Sequence, residues 1–428
     1  MARKMKDSGI EWIGEIPEGW EVIPAKFLFK NSDIRRIADD EQLTSSQQFG
    51  IISQKDYTEL TGSKVVLANK GLADWKHVEP FDFIISLRSF QGGLEMSEIT
   101  GCITWHYIVL KPCHKICSYY YKWLFKSDSY IRALQRTCSF IRDGQDLRYS
   151  NFIQVPLFEP PLAEQEKIAD YLNAECFRID AMLTKTRTSI EEYKKLKQAV
   201  ITQAVTKGVR GERGMKDSGN PWFGQIPTDW KLSRVGLHFS IILGKMLCNA
   251  PLNDTYTLEP YYCAADVHFD GVADGERKKM WFSPIEKDLY IVSVGDLLVV
   301  EGGAGAGGSA IVEKQDSDTY VQNSIMIVRS KGNADSRYLR YLLEFLVKQG
   351  YIDVVCNKAT IPHFTKDKLS CVPFCLCPAG EQKEIADHLD AKCAEIDRLI
   401  AKKEQLVKEL ESYKKSLIYE VVTGKREV

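Results

Sequence analysis

One long stretch of this chain occurs twice, and any admissible fold must give both copies the same surroundings. PLAEQEKIADYLNAECFRIDAMLTKTRTSIEEYKKLKQAVITQAVTKG begins at Pro161, and PAGEQKEIADHLDAKCAEIDRLIAKKEQLVKELESYKKSLIYEVVTGK begins at Pro378, a constant offset of 217 residues. A shorter block precedes each: MKDSGIEWIGEIPEGWEV from Met5 matches MKDSGNPWFGQIPTDWKL from Met215 at an offset of 210. The chain therefore divides into residues 1–160 (head strap and first variable domain), 161–208 (first repeated helix), 209–377 (linker, second head and second variable domain) and 378–428 (second repeated helix and tail). The ends also match: VTGKREV followed by MARKMKDSG rebuilds the internal linker VTKGVRGERGMKDSG. The sequence reads as a closed cycle cut once, which predicts a pseudo-twofold arrangement with neighbouring termini.

Local patterns assign an α+β fold. Gly9, Gly14, Pro17 and Gly19 break the first head into a turn-rich strap, pinned by Trp12 and Trp20 and, in the second copy, by Trp222 and Trp230. Each variable block mixes strand-like runs, such as FDFIISL and DLLVV, with a helical segment, SYYYKWLFKSDSYIRALQRT or SRYLRYLLEFLVKQGYIDVV. In the long repeats Leu172, Cys176, Ile179, Leu183, Thr186, Ile190, Tyr193, Lys197 and Val200 step by four and three, and the second copy keeps the stripe from Leu389 to Leu417. That is a coiled-coil seam with Thr186, Lys197, Lys403 and Lys414 as polar interruptions. Two mixed α/β domains with two long antiparallel helices are the expected architecture.

Composition removes several function classes. Fifty-seven Lys and Arg stand against 58 Asp and Glu, a net charge of −1, so nucleic-acid binding must use local basic patches. No run approaches 18 apolar residues and no signal-peptide pattern opens the chain, so a cytoplasmic protein without a membrane segment is expected. The 12 Cys read as reduced core residues: neither the Cys102, His106, Cys113, His114, Cys117 group nor Cys371, Cys375 and Cys377 has paired zinc-ligand spacing. GGAGAGGSA at Gly302 contains a G-x-G-x-x-G, but a strand and not a helix is expected to follow, which favours a glycine-rich hairpin over a dinucleotide site. Phosphate-loop, zincin, nucleophile-elbow and N/D-P-P-Y/F motifs are lacking, and no catalytic, metal or cofactor site is assigned to this chain.

Two variable domains, each followed by P-x2-EQ-x2-IA-x2-L and a helix ending near VVTGK, resemble the specificity subunit of type I restriction-modification systems over the whole chain. GDLLVVEGGAGAGGSAIV is similar to a segment common in that family's recognition domains, while the first domain has Phe81 where glycine is usual. The resemblance implies two target-recognition domains, each reading half of a bipartite site in double-stranded DNA. It implies helices that act as spacer and dock two methyltransferase subunits, in a complex with translocase/nuclease restriction subunits. S-adenosylmethionine, ATP and Mg would belong to those partners.

Base reading needs basic groups for phosphates and polar side chains for base edges. Candidates in the first domain are Arg88, Ser89, Gln91, Arg142, Gln145, Arg148 and Tyr149. In the second they are Gly305, Gly307 and Ser309 of the glycine hairpin, with Asn357, Lys358, Thr360, His363 and Lys366. Glu164, Gln165, Glu381 and Gln382 are expected on an outer helix face as partner contacts. Two rivals stay open: a coiled-coil scaffold for protein partners, and a nucleotide-binding enzyme built on the glycine loop. DNA binding that weakens with salt discriminates against the first, and lack of NAD or ATP binding against the second.

Overall fold

Between its first turn and the glycine near its end, neither long repeat contains Gly or Pro, and each folds as one uninterrupted helix, Leu162–Lys207 and Ala379–Val422, of 46 and 44 residues. The computed structural model describes residues 3–63, 71–86, 89–137, 147–314, 317–356 and 362–428, apart from the side chains of 90 and 91. Contacts divide the chain into Met1–Arg187 with Glu404–Val428, and Thr188–Lys403. Each unit thus combines a head, a variable domain, the first part of its own long helix and the last part of the other.

In the first unit the sheet contains β1 (Phe29–Ser32), β2 (Phe83–Ile85), β3 (Glu95–Met96) and β4 (Ile108–Pro112), antiparallel in the order β1-β4-β2-β3. In the second unit β5 (Phe239–Leu243), β6 (Leu297–Val300), β7 (Ser309–Ile311) and β8 (Ile325–Ser330) follow the same plan, β5-β8-β6-β7. The continuous apolar run LLVV in β6 has a simple cause. Alternate residues face opposite sides of a strand, so Leu297 and Val299 enter the core that holds Trp230, while Leu298 and Val300 enter a separate core with Val267 and Ile327.

Each head is a β-hairpin, more ordered than the expected strap, pairing Met5–Asp7 with Glu15–Pro17 and Met215–Asp217 with Gln225–Pro227. The strand after each head pairs with the segment leading into the long helix, Glu21–Ile23 with Leu157–Glu159 and Lys231–Arg234 with Pro373–Leu376. Entry to and exit from each variable domain are therefore stitched together.

The seam positions leave solvent while their neighbours remain exposed. Within each unit the two helix parts run antiparallel. Lys414 Nζ lies 2.7 Å from Asp180 in the first unit, and Lys197 Nζ lies 2.7 Å from Asp397 in the second. These are one ion pair written twice, since both members shift by the repeat offset of 217. The carboxylates are half exposed, so each pair contributes at most about 1 kcal/mol and serves register more than stability. Of the lysines that interrupt the stripe, Lys197 and Lys414 are thus paired ions, while Lys403 Nζ lies 5.7 Å from the Tyr193 ring centroid.

Cyclic closure is visible in the first unit. Leu417, Ile418, Val421 and Val422 share the core of Trp20 and Leu172, just as Ile201, Ala204 and Val205 share that of Trp230 and Leu389. Tyr120 donates its hydroxyl to the Val422 carbonyl at 2.8 Å, and Gly424 lies so close to Pro17 that an added Cβ would stand 2.5 Å from its Cγ. The C-terminus packs on the first head.

The turn into β2 explains the departure at Phe81. Phe81 has φ 75°, and its counterpart Gly295 has φ 92°. Equivalent bonds hold both turns: Phe81 N–H donates to Ser97 O at 2.7 Å and Gly295 N–H to Val312 O at 2.8 Å. The following carboxylates pair with the central strand, Asp82 with Lys111 and Asp296 with Arg329. A left-handed backbone costs a side-chain-bearing residue roughly 1–2 kcal/mol. Gly295→Ala, whose Cβ would meet nothing within 4 Å, is expected to lose about that amount in urea unfolding of the second unit. Phe81→Gly is expected to stay within about 1 kcal/mol of the parent, because relief of strain offsets the added chain entropy and the lost edge contact with Tyr119. A neutral Gly295→Ala would remove the strain argument.

Candidate nucleic-acid interface

In the second unit two expected loops meet. Gly303 N–H donates to Pro362 O at 3.1 Å and Phe364 N–H donates to Glu301 O at 2.6 Å, while Gly302 bridges His363. The loop between β6 and β7 folds back on itself: Gly307 N–H reaches Val300 O and Val300 N–H reaches Gly308 O, at 3.0 and 2.8 Å. Gly307, at φ 82°, packs where a Cβ would lie 2.8 Å from Val347 Cγ2. The exposed tip is only Ala304 and Gly305. Gly307 and Ser309 are buried, which corrects their expected place on an open hairpin; the Ser309 hydroxyl finds no partner among the described residues. His363 and Lys366 are exposed beside this loop, with Lys368 Nζ fastening the His363 carbonyl at 2.7 Å. Asn357, Lys358 and Thr360 lie outside the described residues. The segment after the loop is strand, as expected, so no helix opens where a dinucleotide pyrophosphate would need one.

In the first unit the corresponding connection between β2 and β3 contains the short turn Ser89–Gly92. Ser89 is 1% exposed and its Oγ accepts from Ser86 N–H at 2.8 Å, so it shapes the turn from inside. This corrects its expected place at the loop tip. Gly93, at φ 77°, lies against the backbone of Phe125, and Lys126 donates to Gly92 O at 3.0 Å. Beneath the loop, burial pushes the Glu95 carboxyl above the usual range while the Lys126 ammonium pulls it back. Arg148 is exposed, whereas Tyr149 is half-buried and donates its hydroxyl to Phe29 O at 3.0 Å, an anchoring role in place of the expected free one. Arg88, Arg142 and Gln145, and the side chain of Gln91, lie outside what the structure describes.

The expected outer face of Glu164, Gln165, Glu381 and Gln382 is corrected outright. Gln165, Glu381 and Gln382 are buried, and Glu164 is largely covered. Trp20 Nε1 donates to Glu164 at 2.9 Å and Trp230 Nε1 donates to Glu381 at 3.2 Å, with Arg3 and Arg213 completing each site. The glutamines face the variable domains. Gln165 Oε1 accepts from Cys117 N–H at 2.9 Å and Gln382 Oε1 accepts from Asp335 N–H at 3.0 Å, at the N-caps of helices Ser118–Lys126 and Ser336–Lys348. Helix N-termini leave donors unsatisfied, and the glutamines supply acceptors there. Each Glu-Gln pair is a clasp, Glu to the head and Gln to the variable domain.

A second docking bond repeats too. Trp123 Nε1 donates to Asn173 at 2.9 Å and the Tyr341 hydroxyl donates to Asp390 at 2.8 Å. Asn173 and Asp390 are 217 residues apart, which is the signal that could have found the pair. Cys375 and Cys377 are buried in the second core, and burial pushes the Cys375 thiol up to about 12. Among the described residues no helix is long and apolar enough to cross a membrane.

Two sheets of one topology, fixed by matching clasps to the two long helices, define a duplicated scaffold. Over nearly its whole length the chain is similar to specificity subunits of type I restriction-modification systems. A family model described as the type I restriction modification DNA specificity domain matches residues 227–410. A protein assigned as the MjaX specificity subunit of a type I restriction enzyme from Methanocaldococcus jannaschii is 26% identical over 96% of this chain and 95% of its own. The MjaVIII specificity subunit of the same organism is 27% identical over 46% of this chain and 43% of its own. Among solved structures, a chain from work on complex assembly and conformational transition of the type I R-M system aligns with TM-score 0.69 at 15% identity, covering 95% of this chain and 98% of that one. The HsdS subunit from Thermoanaerobacter tengcongensis aligns with TM-score 0.56 at 16% identity, covering 96% and 98%.

Proposed function

We propose that this chain is the non-catalytic DNA-recognition subunit of a cytoplasmic type I restriction-modification complex. Each variable domain reads one half of a bipartite sequence in double-stranded DNA. The helices set the distance between the halves and dock two methyltransferase subunits, and translocase/nuclease subunits join the same complex. S-adenosylmethionine, ATP and Mg act in those partners.

The observation that carries this reading is the recurrence of construction in the two units, in clasp, docking bond and inter-helix ion pair. A target in two separated parts requires two readers held in the same way on one support. A scaffold for protein partners would not need the variable domains to differ in their loops while keeping the clasp, the docking bond and the ion pair that support them. The exposed groups at the second loop, His363 and Lys366 beside Gly305, suit phosphate and base-edge contacts.

The test is a map of modified adenines in a host that expresses this chain with its methyltransferase partner. A bipartite motif with a fixed gap is expected, together with binding of the purified complex that falls steeply between 50 and 200 mM salt, on the order of a thousandfold for six or more phosphate contacts. Modification without a two-part motif would return the scaffold to first place.

A further inference from the structure

The edge of the first sheet carries a second tip that the loops above do not include. Leu43–Ser46 pairs with Gly50–Ser53 in a hairpin beside β3, and it turns at Gln47, Gln48 and Phe49. Its counterpart in the second unit pairs Val267–His268 with Gly271–Val272 beside β7 and turns at Phe269 and Asp270.

The two tips are held differently. In the second unit Arg340 grips the Phe269 carbonyl, and Asp270 lies 4.0 Å from Lys197. In the first unit the backbone holds itself: Ser46 Oγ accepts from Gln48 N–H at 3.2 Å and from Phe49 N–H at 3.3 Å, while the Phe49 ring stands edge-on to Tyr57. That leaves Gln47 and Gln48 exposed, with no side-chain hydrogen bond among the described residues. Gln47 lies against Gly92, where an added Cβ would be 3.0 Å from its Nε2, so the tip adjoins the connection between β2 and β3. A polar recess of about 360 Å³ behind the tip is lined by Ser45, Ser46, Tyr57 and Glu95 as well as both glutamines.

Two adjacent carboxamides on a pre-shaped turn are suited to one task. A glutamine amide offers a donor and an acceptor in one plane, which matches N7 and the N6 amino group of adenine in the major groove. A rigid turn lowers the entropy lost when the side chain is fixed on its target. The geometry points to Gln47 and Gln48 as specificity determinants of the first recognition domain, one of them making a bidentate contact to an adenine in its half-site. This rests on the DNA-recognition reading above.

The experiment maps modified adenines for the full chain with its methyltransferase partner, as the parent and as Gln47→Ala, Gln48→Ala and the double variant. Relaxation at one adenine position is expected, with a tenfold or greater fall in preference there, while the half-site read by the second domain stays intact and reports correct folding. Variants that reproduce the parent motif at every position overturn the glutamine assignment and leave DNA recognition standing. Loss of modification at all positions marks a damaged assembly and also overturns it. A parent that gives no bipartite motif removes both readings together.

Discussion

Trp20→Ala is expected to cost the first unit roughly 3–5 kcal/mol, the range for emptying a well-packed aromatic site. The ring is fully buried, stacks on Phe158 at 5.4 Å and 20°, meets Tyr120 edge-on and donates Nε1–H to Glu164. Gly424 of the C-terminal segment touches its far edge, where an added Cβ would lie 3.0 Å from the ring. One substitution therefore loosens the head, the exit strand, the clasp and the end of the chain together. Urea unfolding of the full chain should show the first unit melting early, with the second transition unmoved. Trp20→Phe, which keeps most of the packing and loses the N–H bond, should cost about 1–2 kcal/mol. A loss below about 1 kcal/mol for the alanine variant would mean the head is not integral to the core.

A seven-residue insertion in both long helices, after Arg187 and after Lys403, should lengthen the unspecified gap of the target by about three base pairs. The sites follow from the division of the chain there, which lets each core keep its own helix parts. Seven residues add about 10 Å of helix, against about 3.4 Å per base pair of DNA. One heptad turns an α-helix by only about 20° from its starting phase, but three base pairs turn DNA by roughly a third of its 10-base-pair repeat. The single insertion should therefore recognise the longer site with weakened affinity. Three heptads, about 31 Å or roughly nine base pairs, nearly complete a DNA turn and should restore it. An unchanged motif in both constructions would end the spacer role.

Much of the architecture is legible in the sequence because duplication writes it twice. The stripe from Leu172 to Val200 identifies the buried seam, and the matching ends place the C-terminus at the first head. The partners of Lys197 and Lys414 are not legible, since antiparallel pairing joins residues 200 and 234 positions apart and leaves no local pattern. The Glu-Gln clasp misleads for a related reason. Charged and amide residues near a helix start suggest a wet face, and the tryptophan that buries Glu164 comes from 144 residues earlier. The glycine loop misleads through glycine itself, because lack of a Cβ suits an open tip and also permits the tight packing of Gly307 on Val347 and Ile352. Phe81 shows the converse. Its place in a glycine's position is visible in the sequence, but only the backbone shows that the left-handed turn is kept and its strain carried.

The division of the long helices between units also sets an order of assembly. Thr188–Lys403 is one continuous length of chain, whereas the other unit needs residues that precede this length and residues that follow it. During synthesis from the N-terminus, domains fold as units as they emerge. The second recognition domain can close on its own segments while the first still waits for Leu417, Val421 and Val422 to fill its core. The domain that is translated earlier is therefore the one completed later.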